Sequence, residues 1–347
     1  MIDPSRLEAA WWSSFIGDAL AMPVHWYYTR ERIPIDYGDI TGYLTPHNPH
    51  PDSILWRSRY AVTGTTDDIL HDQARYWGGP RGIHYHQFLH AGENTLNVRI
   101  ATLLAQSLID CGRYDRDDFA HRYTDFMLTP ARHGDTYIEE YHRAFFKHYA
   151  EGRELEDCGI EDIHIGGLAT LTPLLLFHAD DRDMLQQTVA SHVSLTHKGT
   201  VAAEAASVFA DLMHFSLQGL SIDEAIARTG PDLHAALAWP YREWTGTRPD
   251  EEVVGAQFSP ACYLGDSLPA TLFLAVKYAD DLRSGLLANV RLGGDNCHRG
   301  VVLGALLGAQ CGMEAVPPAW ITGLYDYRQY RALFSGLAEA AEKRTRN

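Results

Sequence analysis

No apolar run in the chain approaches the ~18 residues that a membrane-spanning helix needs. Basic residues are also few: 29 Lys and Arg stand against 45 Asp and Glu, a formal net charge of −16 with histidine neutral. That balance argues against general binding to nucleic acid or anionic membranes, which depends on basic patches. An acidic chain still takes a phosphorylated small molecule locally, at a helix N-terminus or through a cation. Cysteine is sparse, five in 347 residues, odd in number and without a C-x-x-C pair. A reducing compartment is therefore expected rather than a disulfide framework. The N-terminus lacks a basic segment, and Glu8 and Asp18 interrupt its apolar stretch, so no secretory signal is read. Together these absences lead us to expect a cytoplasmic protein.

Strand signals, repeats and Pro/Ser-rich linkers are scarce as well. The clear strand candidates lie in the Gly/Pro/aromatic region from Thr29 to Val62, which reads as a long surface excursion wrapping a site. A second irregular stretch runs from Ala238 to Gly265. What the chain does have is helical periodicity. Leu96, Ile100, Leu103, Leu104 and Leu108 recur at spacings of three and four, predicting a helix over Leu96–Ile109 that stops at Gly112. Further helices are predicted over Asp115–Leu128, Thr136–Ala150, Gly166–His178, Met184–Ser191, Lys198–Gln218, Ile222–Arg228, Pro269–Tyr278, Asn296–Cys311 and Tyr325–Lys343. The economical fold class is all-α, a single compact multi-helix domain over residues 1–347.

Three polar clusters adjoin small residues. In "IGDALAMPVHW" (Ile16 to Trp26), Pro23 stops a helix, leaving Asp18 and His25 as candidates for a pocket rim. In "GTTDDIL" (Gly64 to Leu70), Thr65 or Thr66 caps a helix whose first turn carries two carboxylates, or else Thr66, Asp67 and Asp68 form a hard-cation site. In "LGGDNCHRGVVLGALLGA" (Leu292 to Ala309), Gly293 and Gly294 admit an unusual turn and Asp295 leads into a helix. Gly300, Gly304, Ala305, Gly308, Ala309 and Gly312 give that helix a small face. Glycine costs about 1 kcal/mol per helix-interior position, so this many predict close packing deep in the fold. The His84, His86 and His90 group has no matching acid and reads as structural.

These stretches, together with "SLTHKGTVAAEAA" in mid-chain, resemble the ADP-ribosylglycohydrolase family, from about Ala9 to Trp320. That family includes ADP-ribosyl-acceptor hydrolases, dinitrogenase reductase-activating glycohydrolase and J1-type crystallins. The resemblance implies an all-α domain and two Mg²⁺ ions between a T-D-D motif and a G-G-D-x-D-T motif. Those ions orient a ribose and the attacking water while an ADP-ribosyl bond is cleaved. Thr66, Asp67 and Asp68 match the first motif, and Asp295 matches the first aspartate of the second. Cys297 then replaces the second aspartate and His298 the threonine. A thiol is a poor Mg²⁺ ligand.

His25 stands where many members carry a glutamate, with Ala21 for a glycine. Ala169 and Thr170 stand in for Met and Arg in an M-R-x-x-P segment. The resemblance thus implies His25, Asp67 and Asp295 as catalytic and Asp18, Gly166, Gly167 and Gly294 as substrate-binding. Metal ligands would come from Thr66, Asp67, Asp68, Asp295, Cys297 and His298. The cofactor expected is a divalent metal, Mg²⁺ or Mn²⁺, or Zn²⁺ or Fe²⁺ where Cys297 and His298 are ligands. The expected activity is a metal-dependent hydrolase acting on an N- or O-glycosidic bond of a small-molecule or ADP-ribosylated substrate. The alternatives are a silent nucleotide-binding or structural relative and a hydrolase or lyase repurposed for another substrate.

Overall fold

The computed structural model describes residues 2–231 and 234–346. Asp3 accepts a hydrogen bond from the Ser5 N–H at 2.9 Å, and Pro4 takes the first helical position, starting the helix Pro4–Ala21. From Ala9 onward every residue of it is buried. Its neighbour, the helix Asn296–Cys311, is buried from Asn296 to Ala309. The two lie against each other along the small face predicted above. A Cβ on Gly300, Gly304 or Gly308 would run into the backbone of Gly17, Ser13 or Ala9. The backbones come that close because the side chains between them are absent, so the propensity cost of each glycine is offset by packing.

The other helices surround this pair. Thr200–Leu217, Leu264–Lys277 and Leu282–Leu292 pack on Asn296–Cys311, and Thr172–Phe177 packs on Pro4–Ala21. Leu96–Cys111 bridges Thr172–Phe177 and Tyr327–Arg346. One contiguous core draws on residues from Ala9 to Ala340, as an all-α single domain requires. Local signals set the element ends. Gly112, at φ 65°, closes the helix Leu96–Cys111, and the Asp115 carboxylate caps Arg116–Leu128 by accepting from the Asp118 N–H at 3.1 Å.

Three local expectations are corrected. The region Thr29–Val62 contains no strand; it holds a short helix, Arg32–Tyr37, and a 3₁₀ turn, Leu55–Arg57. Pro34, Pro46, Pro49 and Pro51 remove ladder donors, and Asp52 ties the excursion down by accepting from the Tyr28 and Thr29 N–H groups at 2.8 Å. Among the described residues the sheet is one parallel pair, Ile160–Glu161 with His197–Lys198. The stretch after Ala238 includes two short helices, Tyr241–Thr247 and Asp250–Val253. Thr65 and Thr66 cap no helix: they sit in an exposed turn, and the next element is the 3₁₀ segment His71–Tyr76. No helix among the described residues is long and apolar enough to cross a membrane.

Candidate active site

Gly293 and Gly294 both have left-handed backbone, φ 61° and 65°, and a Cβ on either would strike the backbone of Tyr27 or Pro260. The turn they make is clamped from two sides. Trp26 N–H donates to Gly294 O at 2.7 Å, Gly294 N–H to Tyr27 O at 2.8 Å, and Asp295 N–H to Pro260 O at 2.8 Å. The fully buried Arg299 donates to Gly293 O and to Asn289 Oδ1, both at 2.7 Å. These bonds bring the segment after the first helix, the Pro260 loop and the start of Asn296–Cys311 to one point. Trp26 is held at φ 62°, an uncommon conformation for a bulky residue, and its ring stacks on His25 with centroids 3.7 Å apart.

Asp295 sits at that point with no exposed surface. Its Oδ1 lies 2.9 Å from His25 Nε2 and 2.9 Å from His298 Nδ1. Those three residues offer ligand atoms within 4.8 Å of one another, the one such group of His, Cys, Asp or Glu among the described residues. Two buried tails extend from it. His25 Nδ1 is 2.7 Å from His86 Nε2, and His86 Nδ1 is 2.8 Å from Asp135 Oδ1. On the other side His298 Nε2 is 3.2 Å from Glu139 Oε1 and 2.6 Å from the Asn97 amide nitrogen.

The charges follow from burial and pairing. Burial would raise the Asp295 carboxyl, but the His298 charge and the hydrogen bonds from His25 and His298 overcome it and hold Asp295 well below the usual carboxylate range. Burial would lower His298, yet Asp295, with Glu139 behind it, pushes it up to about 9. Burial keeps His25 well below the ordinary histidine value and brings His86 down to about 3. Burial also raises Asp135 to about 6 and lifts Glu139 above the ordinary range against the pull of His298.

The cluster opens on a cavity of about 510 Å³. Trp26, Tyr85 and Tyr137 line it, with Tyr28 and Tyr263 at its mouth, 45% and 48% exposed. Its carboxylates are Asp52, Glu139, Glu140 and Asp295, faced by Arg57, His164 and His298. The long excursion from Thr29 to Val62 supplies Asp52, Ile54 and Arg57, so it does wrap the site.

The structure thus joins His25, Asp295 and His298, three of the residues expected from sequence, and leaves the others elsewhere. Asp67 accepts from the Thr63 N–H and hydroxyl with one oxygen and from the Gly64 N–H with the other. Asp68 accepts from the Tyr60 hydroxyl and the His71 N–H, and Thr66 is exposed in the same turn. Cys297 is also outside the cluster. Its Sγ faces the Asp18 carbonyl at 3.6 Å, and burial pushes the thiol well above its usual value. Asp18 is fully buried and accepts from Asn94, the Thr95 N–H and the Thr95 hydroxyl. Both backbone groups of Gly294 bond to protein. Gly166 and Gly167 back onto Tyr141 and His197 beside a separate cavity of about 20 Å³.

His86, Asp135, Glu139 and Asn97 were missed. His84 and His86 looked like an irregular histidine run. His84 is structural, its Nε2 donating to Pro23 O at 2.9 Å, whereas His86 reaches the site. A usable signal lay in Glu93-Asn94-Thr95, which directly precedes the apolar periodicity from Leu96 and meets Asp18. It is this acid–amide–hydroxyl run, not Thr66-Asp67-Asp68, that opens a helix beside the Asp295 motif.

The chain matches the model of the ADP-ribosylglycohydrolase family over residues 2–347. Crystallin J1A of Tripedalia cystophora is 22% identical to it over 333 residues, 91% of each chain. A solved structure described as an ADP-ribosylglycohydrolase-related protein complex superposes with a TM-score of 0.64 at 24% identity, covering 97% of this chain and 98% of that one.

Proposed function

The chain belongs to the ADP-ribosylglycohydrolase family, and from that premise we propose that it hydrolyses an N- or O-glycosidic bond to a ribosyl group held beside Asp295, His298 and Glu139. The observation that carries this reading is a pair of carboxyls in one pocket whose environments drive their proton affinities apart. Glu139, whose carboxyl burial lifts above the ordinary range, is the group placed to give the leaving group its proton. Asp295, kept ionised by two imidazoles, faces the positive charge that develops on the sugar and orients water. The two carboxyls contact opposite nitrogens of the His298 ring, which sets them wider than the roughly 5 Å of a retaining pair and favours inversion. Tyr28 and Tyr263 at the mouth offer faces for a base or the acceptor. Asp52, Glu140 and Asp295, set against Arg57 and the His298 imidazolium, leave a modest acidic excess that disfavours a diphosphate in the pocket interior. A nucleoside-like or cationic N-ribosyl group suits it better, and an ADP-ribosyl group would place its diphosphate at the exposed Arg57.

The pair of Mg²⁺ ions that the family implies does not fit these residues. Mg²⁺ demands near-octahedral oxygen ligands. Cys297 is a buried thiol, Asp67 is saturated by its own turn, and Asn94 and Thr95 are bonded to Asp18.

The test is to incubate the protein with a panel of ribosylated and ADP-ribosylated compounds and follow the released ribose or ADP-ribose, and its anomer, by NMR. Turnover with inversion is expected, with kcat reduced ~10²–10⁴-fold in Glu139→Gln. Ligand binding without turnover would favour the second reading, a silent binding relative. The replaced metal carboxylate at Cys297 and the likeness to crystallin J1A both speak for that reading.

A further inference from the structure

We infer that His25 Nε2, Asp295 and His298 Nδ1 form a centre for a single borderline divalent cation of the Zn²⁺ kind, where the family would hold two hard ions. Two nitrogens and a carboxylate oxygen are the donor set that suits such ions, and three protein ligands leave a coordination position open. Asp295 and His298 both line the pocket, so that open position faces it.

A count of hydrogens supports the assignment. Asp135, His86, His25 and Asp295 are joined in a row by contacts of 2.8, 2.7 and 2.9 Å. Three hydrogen bonds need three bridging hydrogens, and two neutral imidazoles supply two. The third contact is closed either by one further proton, on Asp135 or on a histidine of the row, or by a metal ion between His25 Nε2 and Asp295 Oδ1.

The surroundings favour the metal. Ligating histidines characteristically donate their other N–H to a carboxylate or an equivalent acceptor, which fixes the tautomer. Here His25 does so through His86 to Asp135, and His298 has Glu139 at 3.2 Å. The far nitrogens are committed and the near ones converge on one carboxylate. Ligands of a tetrahedral ion bound at 2.0–2.2 Å lie roughly 3.3 Å apart, so an opening of under 1 Å admits it. The inference does not rest on which bond is cleaved, or on whether any is.

The experiment uses full-length protein stripped with chelator. Zn²⁺ and Mg²⁺ are titrated by calorimetry and Co²⁺ by visible absorption. One Zn²⁺ per chain is expected, with no Mg²⁺ uptake at the same concentrations and Co²⁺ bands of a nitrogen–oxygen site. His86→Gln should weaken Zn²⁺ ~10–100-fold, and His298→Gln should abolish the Co²⁺ bands. The idea fails if wild type takes up neither Zn²⁺ nor Co²⁺, or if Mg²⁺ binds as tightly as Zn²⁺. It fails too if His25→Gln and His298→Gln both bind undiminished. The wild-type titrations decide the matter even where a variant does not fold.

Discussion

Asp67 and Asp295 both sit in acidic motifs beside glycine, yet they end in opposite circumstances. Asp67 lies in a mostly exposed turn, and its partners are Thr63 and Gly64, within four residues of it. Asp295 has no exposed surface, and two imidazoles meet it, one from 270 residues away. A carboxylate satisfied by its own turn is conformationally useful and chemically quiet. One stripped of water and surrounded by groups that compete for protons has the electrostatics of a working site.

Several measurements would break or sharpen that contrast. The largest effect is expected from Asp295→Ala, which leaves His298 and His25 buried without their acceptor and should cost about 3–5 kcal/mol in urea unfolding. Asp67→Ala, losing a cap-like turn, should cost ~0.5–2 kcal/mol; equal losses would erase the distinction. Next comes the glycine pair. Gly304→Ala drives a Cβ into the Ser13 backbone and should destabilise by ~1–3 kcal/mol. Gly64→Ala, with open space around it in the Asp67 turn, should stay within ~0.5 kcal/mol.

A smaller effect is expected from pH in chelator-treated protein. His298 binds its proton more tightly when folded, so its contribution is complete below about pH 6.5, the ordinary histidine value, and is lost as pH rises towards about 9. The urea midpoint of wild type should fall across that window and that of His298→Gln should not; parallel curves would remove the charge from His298. The smallest change is predicted for Asp68→Asn, which should leave both turnover and Zn²⁺ uptake at wild-type levels. A clear drop in either would return the Thr66–Asp68 turn to the site.

Much of the fold was legible. The helix Asn296–Cys311 was read at its observed ends, and its small face announced the contact with Pro4–Ala21. His25, Asp295 and His298 were named because each stands at a motif position with an altered residue or a retained acid. Asp67 and Asp68 were misplaced because two adjacent carboxylates after a threonine satisfy a local turn and a metal motif equally well. Glu139 was hidden inside a segment read as helix, which in fact begins at Glu140.

By itself the sequence determined what depends on neighbours a few residues apart: helix periodicity, the glycine stop at Gly112, the turn at Gly293 and Gly294, and the absence of a membrane-spanning run. The tertiary structure decided which polar groups meet. The contacts that make the site join residues 61, 49, 270 and 201 positions apart. Nothing in local spacing encodes such pairings; they follow from the close approach of two central helices and from the Gly293–Gly294 turn that aims Asp295 at His25.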